Sequence, residues 1–326
     1  MRFLFHRSVA RPSTARKLLS EIRYGVDSRI AGKPGGATNM NLFSTKNHST
    51  RSYVRNADMW LNDLKDQLTC AAAWKQVSGE NLGGVLITPW HVLYCRHNYP
   101  DAFNPGGGRE IGFVLADGTY VYGTQVSQAQ LTDTHADMCV ATMDRNMQEL
   151  GVHVVPIWGG LTSVQMSVMT SELPLFAISQ GGEDTGAGHD VMCYLQNQFN
   201  YYGGLSSPRN LFDYQVYVND SGTPKFVLYK DIIYLFGIII LANWFSVPVY
   251  DYIAGINTAI AASDALAVTN GDIDSPTGAT VTLTTPGDTL PLPSGGASLS
   301  LTWDDNSAIE DGFRIYTKLT SGSTYA

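Results

Sequence analysis

A serine in residues 219–224, which read N-D-S-G-T-P, has the surroundings of a catalytic nucleophile. Ser221 stands between an acidic residue and Gly222, and an apolar strand sequence follows directly. Asp, Ser and Gly all favour tight turns, and a tight turn can expose a hydroxyl while backbone N–H groups converge beside it. Converging donors of this kind form the oxyanion hole of acyl-transfer enzymes. Because the same residues also occur in ordinary turns, Ser221 needs partners elsewhere in the chain.

Two upstream segments supply candidate partners. Residues 83–98 read GGVLITPWHVLYCRHN, two apolar runs that end at His97. Residues 133–142 place a carboxylate, Asp137, at the start of another apolar run. The order along the chain is therefore His, Asp, Ser, which is the order in chymotrypsin-like peptidases and differs from that in subtilisin or α/β-hydrolases.

Together these motifs resemble the trypsin-like family of serine peptidases. Residues 83–98 match, without a gap, the segment that carries the family's catalytic histidine, so the resemblance gives that role to His97. His91, in the same segment, is expected to be a packed strand side chain. Residues 137–140 resemble the family's D-I-A-L motif, and residues 219–224 resemble its G-D-S-G-G-P motif.

The resemblance implies hydrolysis of peptide bonds through a covalent acyl-enzyme. Ser221 would be the nucleophile, His97 the general base and then acid, and Asp137 the carboxylate that orients the imidazole. The N–H groups of Asn219 and Ser221 would form the oxyanion hole. Asn219 replaces the family's glycine, and asparagine is among the residues that best tolerate positive φ. Neither a cofactor nor a metal site is predicted.

The expected specificity residues depart further from the family. Gln215 stands at the position of the floor of the primary specificity pocket, and it is neither acidic nor apolar. Ile240 and Ala242 lie in the segment that would pair with the substrate backbone, where the family has Ser and Gly. A cleavage preference for Lys or Arg is therefore not predicted. The predicted substrate is a protein or peptide of unspecified sequence.

The resemblance predicts an all-β fold of two six-stranded antiparallel β-barrels with a short C-terminal helix. Residues 109–122 alternate around Asp117-Gly118, which is a hairpin signal. Residues 154–157 resemble the strand that crosses between the barrels, and residues 252–265 resemble the closing helix. Residues 232–250 carry no charge, and their β-branched and aromatic content favours buried strands over a membrane span.

The amino-acid composition limits the classes of function that the chain can have. With 326 residues, of which 44% are hydrophobic and 15% charged, the chain can bury a large core. A formal net charge of −8 and a pI near 5.3 argue against nucleic acid as a partner. The 4 cysteines form no C-x-x-C pair, so they do not indicate metal. Cys95 and Cys139 are expected to be buried thiols, while a Cys70–Cys193 disulfide, the redox compartment and the localisation stay open.

The two ends of the chain differ from its centre. Residues 1–55 are first basic and then polar, and we expect a largely disordered arm with one helical turn. Residues 58–68 have the spacing of a short amphipathic helix, and the peptidase domain is expected to span residues 56–267. Residues 268–326 include a Trp strand and a D-G-F-R-I-Y strand that resemble part of a fibronectin type III domain. They are too few for such a sandwich, so a chain ending near residue 266 is expected to stay folded.

The alternative function is a binding module. In that interpretation the peptidase-like fold is catalytically weak or inactive, and the fibronectin-like region attaches it to a surface or particle. Intact His97, Asp137 and Ser221 favour the enzyme. Asn219, Thr223 and Ile240, which depart from the family pattern, favour the binding module.

Overall fold

The computed structural model describes residues 13–72, 83–96, 108–132, 137–159, 173–179, 191–196, 208–213, 220–241 and 245–284. The chain divides into two compact units, Met1–Pro286 and Gly287–Ala326. Every described residue belongs to the first unit. The predicted fibronectin-like strands lie outside the described residues.

The N-terminal region forms helices and a hairpin where the composition predicts a largely disordered arm. Its elements are α1 (Ser13–Ile30), α2 (Ala37–Met40), β1 (Phe43–Asn47) and β2 (Ser52–Arg55). The buried apolar residues of α1 recur every fourth position, at Leu18, Ile22, Val26 and Ile30. This spacing is typical of an amphipathic helix, and the basic and polar residues between these positions conceal it in the composition. Arg209 ties α1 to the rest of the unit through bonds of 2.7 Å to both carboxylate oxygens of Asp27.

Residues 58–68 form two short 3₁₀ segments, Asn62–Leu64 and Gln67–Cys70, in place of one amphipathic helix. The apolar side chains are buried as predicted: Met59, Trp60, Leu64 and Leu68. The indole nitrogen of Trp60 donates to the carbonyl of Cys193 at 2.9 Å. This segment therefore packs against a strand that lies far away along the chain.

A closed barrel follows, as predicted. Its strands are β3 (Ala71–Ala72), β4 (Gly84–Thr88), β5 (His91–Cys95), β6 (Arg109–Val114), β7 (Tyr120–Gln130) and β8 (Met138–Met143). All neighbours pair antiparallel in the order β3-β4-β5-β8-β7-β6, and β3 pairs with β6 to close the ring. The predicted turn joins β6 to β7, with Gly118 at φ 91°. A Cβ there would collide with the carbonyl oxygen of Tyr53, so glycine suits both the turn and the contact.

The second half of the chain forms a seven-stranded sheet. Its strands are β9 (Ile157–Trp158), β10 (Leu175–Ser179), β11 (Met192–Gln196), β12 (Pro224–Tyr229), β13 (Ile232–Leu241), β14 (Phe245–Pro248) and β15 (Leu283–Thr284). The order is β11-β10-β12-β13-β9-β15, and β14 also pairs with β13. Over the described residues this sheet does not close into a second barrel. Within the uncharged run at 232–250, Ile232–Leu241 and Phe245–Pro248 form strands as predicted, and residues 233–240 are buried. No described helix is long and apolar enough to cross a membrane.

A helix closes the first unit. It is α3 (Ile253–Asn270), which ends at Gly271 with φ 76° and the backbone bond from Asp272 N to Ala267 O. The chain then returns along the helix, where Asn257 exchanges two hydrogen bonds with the backbone of Val281. The first unit therefore continues to residue 286, past the boundary predicted at residue 267 from the Gly, Thr and Pro content.

Candidate functional site

The loop that carries Ser221 is held by the two longest neighbouring strands of the sheet. Gly222 adopts φ 85° and donates its N–H to the carbonyl of Ile239 at 2.6 Å. Ile239 in turn donates to the carbonyl of Thr223 at 3.0 Å. A left-handed residue directly after Ser221 turns the chain sharply at the serine, and β13 fixes the position of that turn.

The backbone of the same loop makes a close contact with the first barrel. A Cβ on Gly222 would collide with the carbonyl oxygen of Gly83, the residue before β4. A Cβ on Gly83 would lie 2.6 Å from the backbone nitrogen of Thr223. Both positions therefore require glycine, and Ser221 lies at the seam between the barrel and the second sheet.

Asp220 is fully buried beside this turn. The hydroxyl oxygen of Ser179, at the end of β10, lies 2.9 Å from both of its carboxylate oxygens. A buried carboxylate is stable only when donors satisfy it. Ser179 therefore helps to anchor the loop.

Asp137 directly precedes β8 and has a strained conformation, with φ 42°. Its carboxylate accepts the Cys95 thiol hydrogen at 3.4 Å, and its carbonyl accepts the N–H of Arg96 at 2.9 Å. The sulfur of Cys95 also lies 3.7 Å from the carbonyl oxygen of Ile240. Through Cys95, Asp137 is brought to the part of β13 that borders the Ser221 loop. Strain of this kind concentrates at functional sites.

The predicted site residues are described in part. Ser221 and Ile240 are buried, and Asp137 is half-buried. His97, Asn219, Gln215 and Ala242 lie outside the described residues.

Sequence reasoning missed a buried lysine close to Ser221. Lys225 in β12 is 0% exposed. Burial lowers its pKa to about 7, against an opposing effect from Asp213. Tyr194 lies two strands away, in β11. Burial, followed by the charge of Asp220, raises its pKa well above the usual value. The signal in the sequence was a single charge inside the apolar strand P-K-F-V-L-Y.

His91 is packed, as predicted. It is fully buried, with Nδ1 2.7 Å from the hydroxyl of Thr88 and Nε2 3.0 Å from Asp264 Oδ1. Burial alone would raise the pKa of the Asp264 carboxyl, but hydrogen bonds from His91 and Thr277 outweigh it and lower that pKa. His91 and Asp264 therefore join the barrel to α3.

The four cysteines are buried free thiols, including Cys70 and Cys193. Burial raises the pKa of Cys139 to about 11, so this thiol is protonated at neutral pH. Among the described residues, no group of three His, Cys, Asp or Glu side chains is placed to hold a metal ion. No protein-family model matches the chain, and no curated protein matches it significantly.

Proposed function

We propose that the protein is a serine endopeptidase with Ser221 as its nucleophile. The observation that carries the proposal is the close contact between the Ser221 loop and the barrel, at the seam between the barrel and the second sheet. There the Ser221 loop contacts Gly83 and Ser179 and is hydrogen-bonded to β13. Cys95 contacts both Asp137 and Ile240 of β13, so Asp137 also lies near this strand. A fixed turn that carries a serine, with a carboxylate held near the same strand, is compatible with nucleophilic catalysis.

His97 completes the proposed site. The backbone N–H of Arg96, which precedes His97 in the sequence, donates to the carbonyl of Asp137, and this bond supports pairing His97 with Asp137 in the proposal. His97 takes the proton of the Ser221 hydroxyl as its oxygen attacks the substrate carbonyl. The N–H groups of Asn219 and Ser221 stabilise the oxyanion. His97 then gives the proton to the leaving amine, and water releases the acyl group by the reverse transfers.

The proposal extends to the fold and the partners. We propose that the seven-stranded sheet corresponds to the second barrel of the chymotrypsin-like fold, and that the predicted segment of residues 268–326 includes part of a fibronectin type III-like module. That module would attach the enzyme to a surface or particle. Gln215, Ile240 and Ala242 would contact the substrate.

A fluorophosphonate probe tests the function directly, because it reacts with activated serines. We expect labelling of the intact protein, and loss of labelling in Ser221→Ala and His97→Ala. Ser44→Ala, which changes an exposed serine of β1, is the matched control and should label normally. With a cleavable peptide, each active-site variant should lose about 10⁴-fold or more in kcat, and the double variant should be hardly worse.

Two results would contradict the proposal. One is a purified, folded protein that the probe does not label, which would favour the binding-module interpretation. The other is labelling that persists in Ser221→Ala. Additive losses in the double variant would show that Ser221 and His97 do not act as a unit.

A further inference from the structure

Cys95 is a buried thiol at the point where the barrel meets the second sheet. It is the last residue of β5 and is 0% exposed. Its sulfur lies 3.4 Å from Oδ2 of Asp137, in the barrel, and 3.7 Å from the carbonyl oxygen of Ile240, in β13. Both neighbouring atoms are acceptors, and a thiol has a single hydrogen to donate.

The charge of the carboxylate decides which acceptor receives that hydrogen. A hydrogen bond to an ionised acceptor is roughly twice as strong as one between neutral groups, and the carboxylate oxygen is also the nearer of the two. The low dielectric around a buried thiol strengthens such a bond further. The Cys95 thiol therefore donates to Asp137, while its sulfur stays in contact with β13.

The backbone bonds around Asp137 fix its main chain but not the direction of its side chain. Cys95 pairs with Met138, the first residue of β8, and the N–H of Arg96 donates to the carbonyl of Asp137 at 2.9 Å. These bonds hold the main chain of Asp137 at the end of the strand pair, with φ 42°. Rotation about χ1 still offers several staggered positions, and a donor to Oδ2 selects one of them.

The same contact relates the carboxylate to the Ser221 loop. Ile239 precedes Ile240 in β13, and its carbonyl accepts the N–H of Gly222 in that loop. Two consecutive residues of β13 therefore contact the nucleophile loop and the Cys95 thiol. A shift of the thiol would change how the carboxylate is placed relative to the loop.

We propose that Cys95 is a positioning residue, whose thiol holds the Asp137 carboxylate in the orientation that pairs with His97. This inference rests on the proposed peptidase function. Cys95 takes no part in the chemistry and needs no contact with the substrate, so its complete burial suits the role. The thiol supports the site from the barrel, while Ser179 supports it from the sheet.

Two substitutions of Cys95 test the need for a donor. We expect Cys95→Ala to lower kcat for a cleavable peptide by about 10- to 100-fold, as for the loss of a hydrogen bond to a charged group. KM should stay unchanged, because no substrate contact is lost. Cys95→Ser keeps a donor and should recover most of the loss. Cys193→Ala, which removes another fully buried strand thiol, is the matched control and should leave kcat unchanged.

A variant of Asp137 shows whether Cys95 acts through that carboxylate. Asparagine tolerates positive φ, so Asp137→Asn removes the charge with little strain. In that background Cys95→Ala should change the residual turnover by less than about twofold. An equal loss in both backgrounds, or an unchanged kcat in Cys95→Ala alone, would overturn the proposal. Unfolding curves check that each variant is folded.

A spectroscopic measurement separates this inference from the peptidase function. The S–H stretching band of a cysteine shifts to lower frequency when the thiol donates a hydrogen bond, and the Cys95 band is the one that disappears in Cys95→Ser. We expect Asp137→Asn to move that band to higher frequency and to leave the Cys193 band in place. A shift in a protein that the serine probe does not label supports the thiol–carboxylate bond and rejects the peptidase. An unmoved Cys95 band overturns the role of Cys95 even if the probe labels the protein.

Discussion

At the scale of single residues, Lys225 couples the stability of the protein to pH. Its pKa of about 7 in the folded protein lies far below the 10.5 of an ordinary lysine. Between these values the unfolded chain binds more protons than the folded one. The free energy of unfolding therefore rises with pH across this window and is lowest below pH 7.

Lys225→Met should remove this dependence. We expect the variant to be more stable than the parent at pH 6, by up to a few kcal/mol, with the difference shrinking towards pH 10. Denaturant unfolding of the parent and the variant at several pH values measures this difference in stability. For Lys230→Met, at an exposed position, the difference from the parent in the free energy of unfolding should be the same at every pH. A constant difference for Lys225→Met as well would mean that the lysine titrates normally.

The sequence yields candidates for the site only where residues lie in local motifs. Ser221 and Asp137 stand next to turn residues and apolar strands, and these neighbours identify them. Ser179 and Lys225 have no such local signal. The pairing of β10 with β12, which joins distant parts of the chain, sets Lys225 beside Ala177 in β10, the strand whose Ser179 contacts Asp220.

At the scale of elements, α3 is held to the barrel by buried polar groups. Asp264 Oδ1 accepts from His91 and, at 3.3 Å, from the hydroxyl of Thr142. Asp264 Oδ2 accepts from the N–H and the hydroxyl of Thr277, at 3.0 and 2.7 Å. One carboxylate thus links two barrel strands, the helix and the segment after it.

Asp264→Ala should therefore be strongly destabilising. It leaves His91 and both donors of Thr277 without this acceptor, and we expect the free energy of unfolding to fall by about 3 to 5 kcal/mol. Asp272→Ala, at an exposed position just after α3, serves as the control and should change it by less than about 0.5 kcal/mol. Urea unfolding distinguishes the two. A small effect of Asp264→Ala would show that apolar packing alone docks the helix.

Elements with a regular apolar pattern were the predictable ones. The β6–β7 hairpin, the strands of residues 232–250 and the closing helix all follow from alternation, turn residues or composition. The segment of residues 58–68 has helical spacing but lies in two 3₁₀ turns, and Trp60 within it bonds to Cys193 in the distant strand β11. Tertiary packing overrides local propensity there.

At the scale of the whole molecule, the limit of the first unit decides which truncations are tolerated. Residues 271–284 return along α3 and add β15 to the sheet. A chain ending at residue 286 should keep the unfolding midpoint and the probe labelling of the full chain. A chain ending at residue 266 loses the Thr277 and Val281 contacts, and its stability should fall by at least about 2 kcal/mol.

Thermal unfolding of the two shortened chains measures this difference. Equal midpoints would show that the returning segment adds nothing, and that the boundary at residue 267 was right. A loss of stability in the chain ending at residue 286 would show instead that residues 287–326 support the first unit.

The barrel was the most predictable part of the architecture, and the second sheet the least. All six barrel strands lie between residues 71 and 143 and pair antiparallel. The parallel pairs of β9 with β13 and with β15 depend on strands of two residues. Such short strands carry no periodicity, so their partners cannot be inferred from the sequence.

The position of β9 between β13 and β15 has a consequence during translation. A ribosome at typical speed synthesises the stretch between Trp158 and Thr284 in on the order of ten seconds. For that time the nascent chain holds β9 without its last neighbour, and the backbone groups that β15 will bind stay open to other strands. The barrel can pair its strands as they emerge. The second sheet has to wait for nearly the whole unit, and chaperones would be needed most in that interval.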